Sequence, residues 1–133
     1  MAEDGNQFAF LQMVSSISQS FNLPSSSNLG VDFYMELRTS YGDSTQQVAV
    51  SLDGTQVGLF PAASLTSWTL ETVNFGTISA GEHTLSFAGT GGSGGDTTAF
   101  VDNVHLVTPL PSALLLFAPG IAGLAALRRK YIG

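Results

Sequence analysis

The chain has 133 residues, enough for one domain and a short terminal segment. Ten acidic residues face four basic ones, and three of the four basic residues lie within the last six positions, so the rest of the chain is strongly acidic. Such a body lacks the basic patch that binding to nucleic acid or to an anionic membrane surface requires. The chain contains no cysteine, which excludes disulfides and thiolate metal sites.

The first residues do not read as a secretory signal. Residues 1–4 are acidic and no long apolar stretch follows them, whereas a signal needs a basic start and an apolar core. Residues 7–11 are already strand-like. We therefore expect that the domain has lost its signal peptide and its first strands from the N-terminus.

Residues 1–107 are predicted to form an all-β domain. Residues 30–40 alternate between apolar and polar side chains, as a half-buried strand does, and further strands are predicted at 47–52, 55–60, 67–75, 83–87 and 98–107. Asp53-Gly54 predicts a tight hairpin turn. The apolar phase changes between Leu70 and Val73, which predicts a bulge there. Six or more short strands joined by turns indicate an antiparallel β-sandwich.

Two segments of this domain resemble a known family. Residues 81–87 (GEHTLSF) and 99–106 (AFVDNVHL) resemble the last strands of jelly-roll carbohydrate-binding modules with a galactose-binding-like fold. Residues 7–21 resemble an internal segment of such modules, which one or two strands usually precede. The resemblance covers about residues 5–107 and implies a jelly roll that binds carbohydrate.

The resemblance also implies a metal role for one carboxylate. In many of these modules the aspartate that matches Asp102 helps to hold a structural Ca²⁺ ion, together with oxygen ligands from the N-terminal segment. Calcium needs six to eight oxygen ligands, so Asp102 alone cannot hold it. The alternative is a carboxylate that accepts hydrogen bonds from backbone donors at a strand end.

Sugar binding favours exposed aromatic rings beside polar groups, because the rings cover apolar C–H patches while amides and carboxylates bind hydroxyls. The candidates are Tyr34, Tyr41 and Trp68. Tyr34 is predicted on the polar face of its strand, in phase with Asp32, Glu36 and Arg38. Trp68 is in phase with Leu70, which favours packing in the core.

The residues do not favour an enzyme. His83 and His105 are the two histidines, and His83 is in phase with Leu85 and Phe87, which predicts a packed position. Glu36 and Glu71 could act as a pair in glycoside hydrolysis, but neither has a recognisable catalytic setting. The glycine-rich loop at 89–95 has no lysine after it and precedes a strand, so it is not a phosphate-binding loop.

The last 26 residues, 108–133, form a separate tail. Pro109 and Pro111 lead into an apolar run at about 112–127, which is long enough to span a bilayer as a helix and ends at a basic cluster of Arg128, Arg129 and Lys130. This order resembles the PEP-CTERM sorting signal, although Leu110 replaces its acidic centre. The resemblance implies processing by an exosortase. An ordinary single-pass anchor is the alternative, and both place the C-terminus in the cytoplasm.

Together these features predict an exported, non-catalytic β-sandwich of a bacterial cell envelope. Its membrane helix would anchor it with the body outside the cytoplasm, and processing would release it to the cell surface or the exopolysaccharide matrix, where it could bind polysaccharide. The alternatives are a structural or adhesive envelope protein without a defined ligand and a secreted enzyme that acts on glycosides.

Overall fold

A computed structural model describes residues 2–38, 45–62, 65–91 and 97–108. Within these ranges eight strands form two antiparallel four-stranded sheets, with the order β1-β8-β3-β6 in the first sheet and β2-β7-β4-β5 in the second. The all-β sandwich predicted from the sequence is confirmed. The strands are β1 (Ala9–Gln12), β2 (Ser16–Leu23), β3 (Ser27–Leu37), β4 (Gln47–Leu52), β5 (Thr55–Pro61), β6 (Thr69–Ile78), β7 (Gly81–Gly89) and β8 (Thr98–Val107).

The core lies between the two sheets and is built from alternate residues of each strand. Phe33 of β3 is fully buried at its centre. Its ring meets Phe60 and Phe87 of the second sheet edge to face, with centroids 5.3 and 5.0 Å apart. Because successive side chains on a strand point to opposite faces, the neighbours of Phe33 on β3 point away from the core. We call this side of the first sheet the outer face.

The β4–β5 hairpin turns as the sequence predicts. Asp53 and Gly54 both have positive φ values, 52° and 82°. Two successive positive φ angles define a type I′ turn, whose twist matches that of the flanking strands. The hairpin pairs β4 with β5 from Leu52 with Thr55 to Gln47 with Pro61, with one register shift between Val50 and Ser51.

The predicted bulge between Leu70 and Val73 is wrong. The β3–β6 register is continuous there, and Leu70 lies on the outer face with half of its side chain exposed, while Val73 is buried. The apolar phase changes because Leu70 is a surface residue. The irregularity lies instead between Leu29 and Gly30, opposite Gly76, whose φ of 76° suits a residue without a Cβ.

The connections after β1, β3 and β7 leave the sandwich at one end, which we call the loop end. The side chain of Gln46 links these connections by hydrogen bonds. This side chain is fully buried. Its Nε2 group shares its two hydrogens among three carbonyl oxygens and its Oε1 accepts from two backbone amides, at 2.9 to 3.3 Å. The partners are the carbonyls of Leu11, Met13 and Thr97 and the amides of Gln47 and Gly91.

One side of the sandwich is open. Strand β1 pairs with residues 98–101 of β8 only, and β2 pairs with β7 only. Among the described strands, the second half of β8 therefore has β3 as its one partner, and the outer edge of β2 has none. Between these edges lies a groove of about 440 Å³. We call it the edge groove. Its lining is mainly apolar: Ile17, Ser18, Gln19, Phe21, Leu85, Phe87, Val104, His105 and Leu106.

Most of the predicted tail lies outside the described residues, which end at Thr108. The predictions for the sorting motif, the apolar helix and the basic cluster therefore have no structural counterpart here. They concern Pro109, Pro111, Arg128, Arg129 and Lys130. Within the described ranges no helix is long and apolar enough to cross a membrane.

Candidate functional site

The outer face of the first sheet carries the best placed of the predicted sugar-binding residues. Tyr34 of β3 is half-buried and lies between Asp102 of β8 and Leu70 of β6 in the sheet register. This placement confirms the predicted polar face of β3. The carboxylate of Asp32, on the same face, accepts a hydrogen bond from the Thr72 hydroxyl at 2.9 Å.

Three aromatic rings form a cluster on this face, which we call the aromatic cluster. The centroid of Phe8 lies 4.8 Å from that of Phe100 and 5.8 Å from that of Trp68, both in edge-to-face geometry. The ring centroids of Trp68 and Phe100 are 6.4 Å apart. All three rings are half-buried and none belongs to the core. The preference for core packing of Trp68 is therefore wrong.

The position of Trp68 follows from the strand register. Thr69 pairs with Met35, so the residue before it lies beside Glu36 of β3, and Glu36 pairs with Phe100. The side chain of Trp68 points to the same side of the sheet as that of Leu70, and both lie on the outer face. Sequence reasoning missed Phe8 and Phe100, although the alternation within 98–107 already placed Phe100 opposite in phase to the buried Ala99 and Val101.

The cluster continues into a more exposed ring. Phe10 of β1 lies opposite Phe100 of β8 in the strand register, and 62% of the surface of Phe10 is exposed. Aromatic side chains of this kind supply apolar contact area with few rotatable bonds. The face thus combines an exposed aromatic surface with the nearby carboxylates of Asp32 and Glu36. Tyr41, the remaining candidate, follows β3 in the sequence and lies outside the described residues.

Asp102 acts as an acceptor for backbone amides. Its two carboxylate oxygens accept from the amide of Asp4 at 2.9 Å and from that of Asn103 at 2.8 Å. The Asn103 side chain donates to the Glu3 carboxylate at 3.1 Å, so the N-terminal segment does reach this strand, as the family resemblance implies. No group of three or more His, Asp or Glu side chains among the described residues could hold a metal ion.

The two glutamates considered for glycoside hydrolysis do not face each other. Glu36 lies on the outer face, whereas Glu71 pairs with the buried Phe33 and points to the opposite side of the same sheet. Partial burial raises the pKa of Glu71. Two carboxylates on opposite faces cannot flank one glycosidic bond.

Both histidines have structural partners. His83 is 9% exposed, which confirms its predicted packed position, and its nitrogens contact Asp53 and the carbonyl of Ser79. His105 bonds to the side chain of Asn103. Within the described ranges, the hydrogen-bond partners of the two imidazoles are a carboxylate, a backbone carbonyl and a side-chain amide oxygen.

Comparison with known proteins identifies the fold. No family model matches the sequence, and no curated protein matches it. Solved structures do match. The C-terminal domain of the sugar-binding protein EclA superposes with a TM-score of 0.61 at 7% identity, over 80% of this chain and 83% of that one. The module TmCBM61, solved in complex with beta-1,4-galactotriose, has a TM-score of 0.55 at 18% identity, over 81% and 74%.

A third similar structure is an enzyme. A family GH115 4-O-methyl-alpha-glucuronidase with specificity for decorated arabinogalactans matches with a TM-score of 0.57 at 18% identity. The match covers 78% of this chain but 14% of the enzyme. At these identities the likeness concerns the fold. The chain shares its antiparallel β-sandwich fold with these structures.

Proposed function

We propose that this chain is a non-catalytic carbohydrate-binding protein and that its sugar site is the outer face of the first sheet. The observation that carries the proposal is the aromatic cluster, because three large rings lie together outside the core beside Tyr34. The shared fold with a sugar-binding domain and a galactotriose-binding module supports it.

The chemistry of the face suits a glycan. Trp68 and Tyr34 offer ring faces to the C–H patches of a sugar, and Phe8 and Phe100 hold the indole in place. The carboxylates of Asp32 and Glu36 accept hydrogen bonds from hydroxyl groups. Each aromatic contact contributes about 1 kcal/mol, so several contacts are needed for useful affinity.

The test is binding of the full-length chain, in a non-ionic detergent, to an oligosaccharide panel that includes beta-1,4-galactotriose. Tyr34→Ala and Trp68→Ala should each weaken binding of the preferred glycan at least tenfold, or about 1.4 kcal/mol. Leu59→Ala is the matched control, because Leu59 is an exposed residue of the second sheet. Binding that survives both aromatic substitutions would place the site elsewhere.

A structural or adhesive role is the second candidate. The unpaired edges of β2 and β8 favour it, because such edges can add strands from other chains. In this case no glycan of the panel would bind, and the protein would instead form oligomers whose size increases with concentration. Sedimentation velocity over a hundredfold concentration range would separate the two functions.

We also propose that residues 108–133 deliver the domain to the cell envelope as a PEP-CTERM-like signal. The support is the sequence: two prolines, an uncharged apolar run, and a basic stop. Replacing Arg128, Arg129 and Lys130 with Asn should block processing or scramble retention in a host that has an exosortase. Unchanged processing and location of that variant would contradict the proposal, and a reporter at Gly133 that is active in the periplasm would contradict the topology.

A further inference from the structure

His83 of β7 lies where two turns meet the edge strand of the second sheet. Its Nδ1 atom is 2.6 Å from Oδ2 of Asp53, in the β4–β5 turn, and its Nε2 atom is 2.8 Å from the carbonyl oxygen of Ser79, in the turn before β7. Its ring packs on Phe21 of β2, with centroids 5.8 Å apart. One imidazole therefore contacts the β4–β5 turn, the β6–β7 turn and an edge strand.

Both ring nitrogens face oxygen atoms that can only accept. The carbonyl of Ser79 has no proton to donate, and an ionised Asp53 carboxylate has none either. The neutral imidazole carries one N–H, so it can satisfy one of these two acceptors and must turn a lone pair toward the other. The imidazolium carries two N–H groups and satisfies both. The geometry is thus complete only when His83 is protonated.

Two hydrogen bonds to the backbone of Thr84 fix the position of the Asp53 carboxylate beside His83. The amide of Asp53 donates to the Thr84 carbonyl at 2.8 Å, and Oδ1 of Asp53 accepts from the Thr84 amide at 2.8 Å. The second carboxylate oxygen is thereby aimed at the imidazole. The turn cannot move away from β7 without breaking these two bonds as well.

We propose that His83, Asp53 and the Ser79 carbonyl form a proton-dependent latch that holds the β4–β5 turn, the β6–β7 turn and β2 together. Protonated His83 closes the latch. Loss of the proton leaves an acceptor facing an acceptor, loosens the contact and frees Phe21. Since Phe21 lines the edge groove, the latch sets how firmly that edge of the sandwich is held.

The charges around the latch give the direction of its pH response. Asp53 is the charged group that faces His83. Glu82 is exposed and lies on the opposite face of β7, and β2 carries no charged residue. The hydrogen bond to Asp53, then that to Ser79, raises the pKa of His83, and the bond to His83, then that to Thr84, lowers the pKa of Asp53.

The sign of the effect follows from these two shifts. The contribution of His83 to stability is complete below about pH 6.5, the ordinary histidine value, and is lost as the pH rises through its raised folded pKa. The contribution of Asp53 is present above about pH 3.9 and is lost as the pH falls through its lowered pKa. The latch is therefore complete between about pH 4 and 6.5.

The test combines NMR titration of the two histidines with thermal unfolding of the full-length chain in non-ionic detergent between pH 4 and 9. In the wild type His83 should titrate above pH 6.5, the Phe21 ring signals should shift in step with it, and the melting midpoint should fall as His83 loses its proton. Asp53→Asn keeps a residue suited to the type I′ turn and removes the charge. It should lower the titration midpoint of His83 and flatten the pH dependence of melting.

Two further variants keep the outcome interpretable. His83→Gln removes the titrating group and should also flatten the pH dependence, even if Asp53→Asn folds poorly. His105→Gln removes the other histidine and should leave the pH dependence of the wild type intact. A wild-type His83 that titrates at or below pH 6.5, or a pH dependence that both Asp53→Asn and His83→Gln retain, overturns the latch.

Discussion

A Cβ atom on Gly89 would lie 2.6 Å from Nε2 of Gln46 and 2.2 Å from the carbonyl oxygen of Met13. Both distances are shorter than any stable contact, and the carbonyl belongs to backbone that Gln46 itself holds in place. Glycine at the end of β7 is therefore what allows the connection after β1 to approach the buried amide. The loop end is assembled around this close contact.

Gly89→Ala should destabilise the domain by roughly 1–3 kcal/mol or more, because the new methyl group forces backbone to move in a packed site. Urea unfolding of the full-length chain in detergent would measure the change. Ser86→Ala, also on β7 but half-exposed, is the control and should stay near the wild type. A Gly89→Ala variant as stable as the control would show that the loop end has room to relax.

Gln46→Glu should lower the free energy of unfolding by more than the exchange of one side-chain group suggests. The amide nitrogen shares its two hydrogens among three carbonyl oxygens, and a carboxylate oxygen in its place would face them with a negative charge. Leaving buried groups unsatisfied costs about 1–3 kcal/mol each, so we expect a loss of roughly 3 kcal/mol or more. The loss should shrink at acid pH, where a protonated carboxyl can donate once. Gln56→Glu on exposed β5 is the control.

Much of the fold could be predicted from the sequence where strands alternate cleanly. The predicted bounds of β4 and β8, 47–52 and 98–107, match the structure. One face of β4 is buried along its whole length, and β8 is buried over its first half. Strand β2 had no such prediction. Its residues Ser16–Leu23 do alternate, with Ile17, Phe21 and Leu23 on one face, but Gln19 interrupts that face and the strand is a mostly exposed edge.

The candidate site could be predicted less well, because it depends on register. Tyr34 follows from the alternation within β3 alone. Trp68 joins Phe100 only because β6 pairs with one flank of β3 and β8 with the other, a long-range arrangement that no local pattern encodes. Gln46 was missed for the same reason, since its five partners come from separate segments.

Asp102→Asn should detach the N-terminal segment from β8. An amide oxygen can replace one acceptor, but the amide nitrogen would meet a backbone N–H, so we expect a loss of about 0.5–1.5 kcal/mol, the net worth of one solvent-accessible hydrogen bond. Unfolding measured in a chelator tests this, with the exposed Glu82→Gln as control. A calcium-dependent rise in the melting midpoint of the wild type that Asp102→Asn abolishes would show that Asp102 holds a metal ion rather than acting only as an acceptor for backbone amides.

Val104→Lys should reduce self-association and leave stability nearly unchanged. Val104 is 40% exposed on the half of β8 that lacks a second partner strand. A charge on an open strand edge opposes the addition of a strand from another chain. Light scattering against concentration gives the measurement. Ser86→Lys adds the same charge to β7, which has partners on both sides, and should leave association as in the wild type.

The absence of cysteine determines how the fold responds to redox conditions. The chain has no cysteine, so its connections are joined by hydrogen bonds to one amide where many small extracellular domains use a disulfide. Folding of the described domain therefore needs neither an oxidant nor a disulfide isomerase, and a thiol reductant should leave its melting midpoint unchanged. Hydrolysis of the Gln46 side-chain amide, by contrast, would convert Gln46 to glutamate in the folded protein. Deamidation, rather than disulfide reduction, is therefore the chemical modification that would open the loop end.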